Sequence, residues 1–111
     1  MNLRKLARGQ PCMMRLSGIC NGNPETTVLA HIRRGFYGMS VKPVDWCGVW
    51  MCSDCHDAYD GRRLTEYTRA ELDAEALRAL CQQLDWYVRH GILPENDLRV
   101  VAADLYAGGK Q

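Results

Sequence analysis

Apolar positions follow two rhythms along this chain, and the change falls near residue 64. In the second part, Leu72, Ala76, Leu77, Leu80, Leu84 and Val88 recur at helical spacing. Thr68-Arg69-Ala70-Glu71 opens that run as a capping box, with Tyr67 and Leu72 placed as a hydrophobic staple. Gly91 stands where such a helix stops. Leu93-Pro94-Glu95 opens a shorter helix containing Leu98, Val101, Ala102 and Leu105, before a frayed tail from Gly108 to Gln111.

The first part is built from short pieces. Residues 2–8 predict a basic helix with Leu3, Leu6 and Ala7 on one side, broken by Gly9-Gln10-Pro11. Cys12 to Cys20 reads as a hairpin-like knuckle turned at Ser17-Gly18, and Asn21 to Pro24 as a further turn. Thr26 to Ile32 is β-branched and apolar, which predicts a strand with His31 near its end. Arg33 to Pro43 is a loop carrying Arg33, Arg34, Tyr37 and Lys42, and Val49-Trp50-Met51 is the next strand. A short helix runs from Ser53 to about Asp60 and ends at Gly61. The chain shows neither an internal repeat nor a low-complexity segment.

Composition narrows the setting. A chain of 111 residues makes one domain, small enough that a metal staple helps its core. With 24% charged and 47% hydrophobic residues it reads as an ordinary soluble protein. No apolar stretch approaches membrane-spanning length, and Met1-Asn2-Leu3-Arg4-Lys5 lacks the apolar run of a signal peptide. The expected compartment is therefore the cytoplasm, with no membrane partner, where six cysteines point to metal ligation before disulfides.

The net charge of +1 hides an asymmetry. Residues 1–63 carry nine Lys/Arg against five Asp/Glu, and residues 64–111 carry five against eight. Phosphates would meet the first part, although a normally solvated surface accounts for the charges equally well.

The basic part holds nearly all the candidate ligands. Cys12, Cys20, Cys52 and Cys55 form two close pairs that fill a tetrahedral structural zinc shell with the fewest assumptions. Cys47 competes for membership but reads as a buried free thiol, and Cys81 as plain core. His31 could instead replace one cysteine in a Cys3His site, and that alternative stays open. His56 and Asp60, four residues apart on one helix, share a face. One imidazole and one carboxylate there can hold a divalent ion with positions open to water and phosphate oxygens. His31, on a neighbouring strand, could then take a proton from an attacking water. Singly, each has a bland reading, with His56 as a helix cap and Asp60 as a surface acid.

These residues resemble the HNH, or ββα-metal, endonuclease family. Members with cysteines place two zinc-binding pairs around a strand ending in a catalytic histidine, and the following helix begins Cys-His. The match runs from Cys12 to about Asp60. Cys20 to Thr26, Ala30-His31-Ile32-Arg33 and Cys52-Ser53-Asp54-Cys55-His56-Asp57 are more closely similar to the YbcO-type nucleases of lambdoid prophages. The resemblance implies His31 as general base and His56 and Asp60 as ligands of a catalytic divalent cation, Mg²⁺, Mn²⁺, Ni²⁺ or Zn²⁺. It also implies an α+β fold, with a zinc-stapled ββα core over 1–63 and two C-terminal helices over 64–111 packed on it as one domain.

Two positions depart from the pattern. Ala30 stands where many members have a further ligand, and the family's middle asparagine falls near Cys47. The expected activity is metal-dependent hydrolysis of DNA phosphodiesters, with Arg33, Arg34, Arg62 and Arg63 rimming the site. Arg4, Lys5, Arg8, Arg15 and Lys42 would extend that basic surface. The alternative is a non-catalytic zinc module that binds DNA or a protein. The apolar excess of the C-terminal helices leaves a homodimer open as well.

Overall fold

The computed structural model describes residues 2–33 and 43–92. The expected loop through Arg34, Tyr37 and Lys42, and the expected helix beginning at Leu93, lie outside them. Helix α1 spans Leu3–Ala7, strands β1 and β2 span Val28–His31 and Gly48–Met51, and helices α2 and α3 span Ser53–Tyr59 and Arg69–Arg89. Single 3₁₀ turns at Pro24–Thr26 and Asp45–Cys47 precede the two strands. The result is a small α+β structure with a two-stranded sheet and three helices.

The helix ends follow local chemistry. Asn2 caps α1 by accepting from the Lys5 amide at 3.1 Å. Thr68 and Glu71 form the reciprocal capping box of α3, with bonds of 3.1 and 2.8 Å. Past α2 and α3, Gly61 and Gly91 take φ values of +79° and +70°, the left-handed conformation that stops a helix.

The strands pair antiparallel, with His31 opposite Gly48 and Val28 opposite Met51. β2 is the centre of the core, since Val49, Trp50 and Met51 are wholly buried. Its free edge exposes backbone groups that must be satisfied. Met13 donates its amide to Trp50 O at 2.7 Å. The buried Gln83 of α3 accepts from the Trp50 amide at 2.7 Å and donates to Gly48 O at 2.8 Å. One amide side chain thus stands in for a third strand. Trp50 also meets Trp86 and Tyr87 edge-on, with ring centroids 4.9 and 5.7 Å away.

The face of α3 that packs keeps Leu72, Ala76 and Leu80 of the apolar stripe but not the rest of it. Leu72, Ala76, Ala79, Gln83 and Tyr87 are buried, whereas Leu77, Leu84 and Val88 are exposed. Cys81, expected in the core, is exposed too. The reason is the close approach to the edge of β2. With Gln83 bonded to the strand backbone and the small residues Ala76 and Ala79 buried on the same helix, Leu77 and Leu84 turn outward.

Candidate functional site

The sulfurs of Cys12, Cys20, Cys52 and Cys55 all lie within 4.8 Å of one another. The Met13–Trp50 bond carries the first loop to the end of β2, where Cys52 caps α2. Arg78 of α3 holds the same loop by donating to Met14 O at 2.7 Å. Asn21 ties the end of the knuckle to α2, its amide nitrogen lying 3.2 Å from Ser53 Oγ and 2.9 Å from Asp54 Oδ2. Backbone amides point at two of the sulfurs, Arg15 N at Cys12 Sγ and Cys55 N at Cys52 Sγ, each at 3.4 Å. Arg15 adopts a φ of +47° beside its bond to Cys12.

Tetrahedral zinc with Zn–S bonds of about 2.3 Å places its sulfurs roughly 3.8 Å apart. The cluster fits that shell, and the four cysteines could hold a structural metal ion such as zinc. Its acid–base balance points the same way. Cys12 is pushed down to about 4, chiefly by the hydrogen bond from the Cys55 thiol, against the opposing effect of burial. Cys55 is raised by that same bond and by burial, so the two shifts describe one proton shared between two sulfurs. Burial also raises Cys20. Four thiols this close, three of them buried, cannot all ionise together without a cation among them.

Cys47 stands outside this cluster, half-buried, its thiol raised by burial. His31 is not part of it either, so the cluster is the four-thiol one rather than the Cys3His arrangement.

Beside the cluster lies a cleft of about 480 Å³ lined by Arg4 and Arg8, all of β1 including His31, Arg33, His56 and Asp60. A smaller pocket of about 170 Å³ continues it, sharing His31, Arg33 and Asp60 and adding Tyr59 and Arg69. His56 Nε2 and Asp60 Oδ2 are 3.0 Å apart along α2. Two donors that close can share one ion with metal–ligand bonds of about 2.0–2.1 Å.

His31 holds Asp45, with Nε2 2.8 Å from Oδ1 and the imidazole largely buried. Arg4 Nε stands 3.4 Å from the same oxygen. These contacts hold the Asp45 carboxyl below its ordinary value, the His31 hydrogen bond most and the charge of Arg4 less. Sequence reasoning missed Asp45. Only the strand register reveals it, because pairing of His31 with Gly48 brings the turn before β2 alongside the histidine.

The arginines are distributed differently from the spacing argument. Arg33 lines both pockets, and Arg4 and Arg8 line the larger. Neither Arg62 nor Arg63 lines the cleft: Arg62 pairs with Asp57 at 3.0 Å and with the cleft residue Asp60 at 3.3 Å, and Arg63 pairs with Asp54 at 2.9 Å. Arg34 lies beyond the described residues.

The chain is thus a small α+β protein with a four-thiol cluster that could hold a metal ion and a separate histidine-bearing cleft. Residues 1–85 match the family model described as "Putative nuclease YbcO", and the chain belongs to that family. It is 43% identical over 94 residues to "Putative nuclease YbcO" of Escherichia coli (strain K12), spanning 83% of this chain and 96% of that protein. "Putative nuclease ybcO" of Enterobacteria phage 82 matches with the same identity and coverage. A solved chain described as "Structure of a putative bacteriophage protein from Escherichia coli str. K-12 substr. MG1655" superposes with a TM-score of 0.67 at 38% identity. That likeness covers 81% of this chain and all of the solved one. Among the described residues, no helix is long and apolar enough to cross a membrane.

Proposed function

We propose that this protein is a metal-dependent DNA endonuclease of the HNH type, with His31 as general base. The convergence of His31, His56 and Asp60 on one arginine-lined cleft carries this reading. The ribbon of β1 and β2 followed by α2, together with the family's nuclease description, supports it.

His31 donates Nε2–H to Asp45, which leaves the lone pair on Nδ1. Nδ1 is then the atom that takes a proton from the attacking water, and Asp45 stabilises the imidazolium that forms. His56 and Asp60 would hold the catalytic ion, Mg²⁺, Mn²⁺, Ni²⁺ or Zn²⁺. The chemistry supplied by such an ion is charge stabilisation at the phosphodiester oxygens. Arg33 stands in the cleft to hold a phosphate next to the reacting one. Residues 1–63 carry the site, and α3 of the 64–111 extension buttresses it as part of the same domain.

The test is cleavage of supercoiled and branched DNA by zinc-loaded protein with Mg²⁺, Mn²⁺ or Ni²⁺, beside His31→Ala. Metal-dependent nicking that disappears in the variant at unchanged zinc content is the expected result. DNA binding without cleavage under every ion would favour a zinc-stabilised binding module. One observation favours that second reading, since Ala30 leaves the helix pair His56 and Asp60 without a ligand from the residue before His31. A homodimer would use the exposed α3 stripe of Leu77, Leu84 and Val88, and sedimentation velocity on the wild type tests it.

A further inference from the structure

The described residues that line the larger cleft include three arginines against one carboxylate, that of Asp60. Such a lining selects an anionic ligand. Two of the three come from the N-terminal segment, Arg4 within α1 and Arg8 at its C-cap, and both reach the same cleft. Their engagement is weak. Arg8 has no ion pair among the described residues, and Arg4 reaches Asp45 only at 3.4 Å, on an oxygen that His31 holds at 2.8 Å. Arg4 is also 57% exposed. Arg62 and Arg63, by contrast, are held in close pairs with the carboxylates of α2.

We propose that Arg4 and Arg8 form a phosphate clamp, gripping the backbone of a nucleic-acid strand on the α1 side of His31. Guanidinium groups suit this role because each can present two N–H donors to one phosphate. A strand held there lies across the cleft with His31, His56 and Asp60 beneath it, and continues toward the pocket shared by Arg33 and Arg69. The clamp rests on the reading of the cleft as a nucleic-acid site, but its test needs no cleavage.

The test is fluorescence anisotropy of a labelled oligonucleotide, single-stranded and duplex, across a salt series without added divalent ion. Wild type, Arg4→Gln/Arg8→Gln and Arg62→Gln/Arg63→Gln are compared, each checked by circular dichroism and zinc content. Each lost phosphate contact lowers the slope of log K against log salt by about 0.7 for single strands and 0.9 for duplex. The Arg4/Arg8 variant should therefore lose about 1.4 to 1.8 in slope, with at least a roughly tenfold loss of affinity at low salt. The Arg62/Arg63 variant should change less.

An unchanged slope in a folded, zinc-loaded Arg4/Arg8 variant overturns the clamp, as does an equal or larger loss in the Arg62/Arg63 variant. So does a wild type that binds neither oligonucleotide. The clamp and the nuclease fail separately. Cleavage that depends on His31, with the Arg4/Arg8 slope unchanged, removes the clamp and leaves the enzyme. A lowered slope in a protein that never cleaves keeps the clamp and removes the enzyme.

Discussion

His31 Nε2 lies 2.8 Å from Asp45 Oδ1, a partner fourteen residues away that enters the site through the 3₁₀ turn before β2. The contact fixes the orientation of the imidazole, and with an ionised Asp45 it calls for Nε2–H as the donor. Replacing His31 by alanine should lower cleavage by roughly 10² to 10⁴-fold, the usual contribution of a general base. Asp45→Asn keeps a hydrogen-bonding side chain but removes the charge, and should cost about 10- to 100-fold, as outer-shell partners do. Steady-state nicking rates of the two variants at equal zinc content decide it. An Asp45→Asn protein as active as wild type would place the orientation of His31 elsewhere.

The same carboxylate links stability to pH. Its pKa is depressed in the folded state, so between the two values the unfolded chain binds more protons and stability rises with pH. The contribution is complete above the unfolded value of about 4 and is lost as pH falls through the lower folded value. Asp45 is 38% exposed, so solvent screening keeps the effect below roughly 1 kcal/mol. Urea denaturation of wild type and Asp45→Asn at equal zinc content should show their difference shrinking from about pH 5 to pH 3. A gap that widens on acidification contradicts the assignment.

The cysteine cluster makes a sharper prediction about metal. Apparent binding energies of structural zinc in small peptides are about 10–16 kcal/mol, comparable to or larger than the roughly 5–15 kcal/mol that stabilises a whole domain. Chelation, or serine at Cys12 or Cys55, should therefore release the ion and unfold the protein. Serine at Cys47 or Cys81 should leave one zinc per chain. Elemental analysis with circular dichroism distinguishes these outcomes.

Gln83 offers a test of the fold away from the site. Alanine there strands the Trp50 N–H and the Gly48 carbonyl in a buried setting. Each unpaired group costs about 1–3 kcal/mol, so Gln83→Ala should lose on the order of 2–5 kcal/mol in chemical denaturation. A loss under about 0.5 kcal/mol, typical of a surface change, would mean that Gln83 does not close the edge of β2.

Glycine at position 48 is required for a related reason. A Cβ added to Gly48 would meet Leu29 Cγ at 2.5 Å and Asp45 O at 3.1 Å. Gly48→Ala should displace Leu29 or the Asp45 turn, costing about 1–3 kcal/mol as overpacking does. Because Asp45 holds His31, nicking should fall along with stability. Loss of stability alone would show that the turn absorbs the strain without moving Asp45.

Much of the architecture was legible in the residues because its causes are local. The capping box at Thr68 and Glu71 formed as expected, as did the stops at Gly61 and Gly91. His56 and Asp60 met because four residues make about one helical turn. The α3 stripe misled because helical spacing alone does not say which side of an apolar helix faces the core. Leu77, Leu84 and Val88 fit the period as well as Ala76 and Ala79 do, and only the approach to β2 chose between them.

By itself, the sequence determined the described helices and strands, the capping box of α3, the two cysteine pairs and the face shared by His56 and Asp60. Those features depend on residues close along the chain, where backbone geometry leaves few alternatives. Tertiary structure decided that Asp45 holds His31, that Arg4 and Arg8 line the cleft while Arg62 and Arg63 pair with Asp57, Asp60 and Asp54, and that Gln83 replaces a strand. Each of these joins distant residues through strand register or helix approach. Those are set by packing the whole core, which no local spacing encodes.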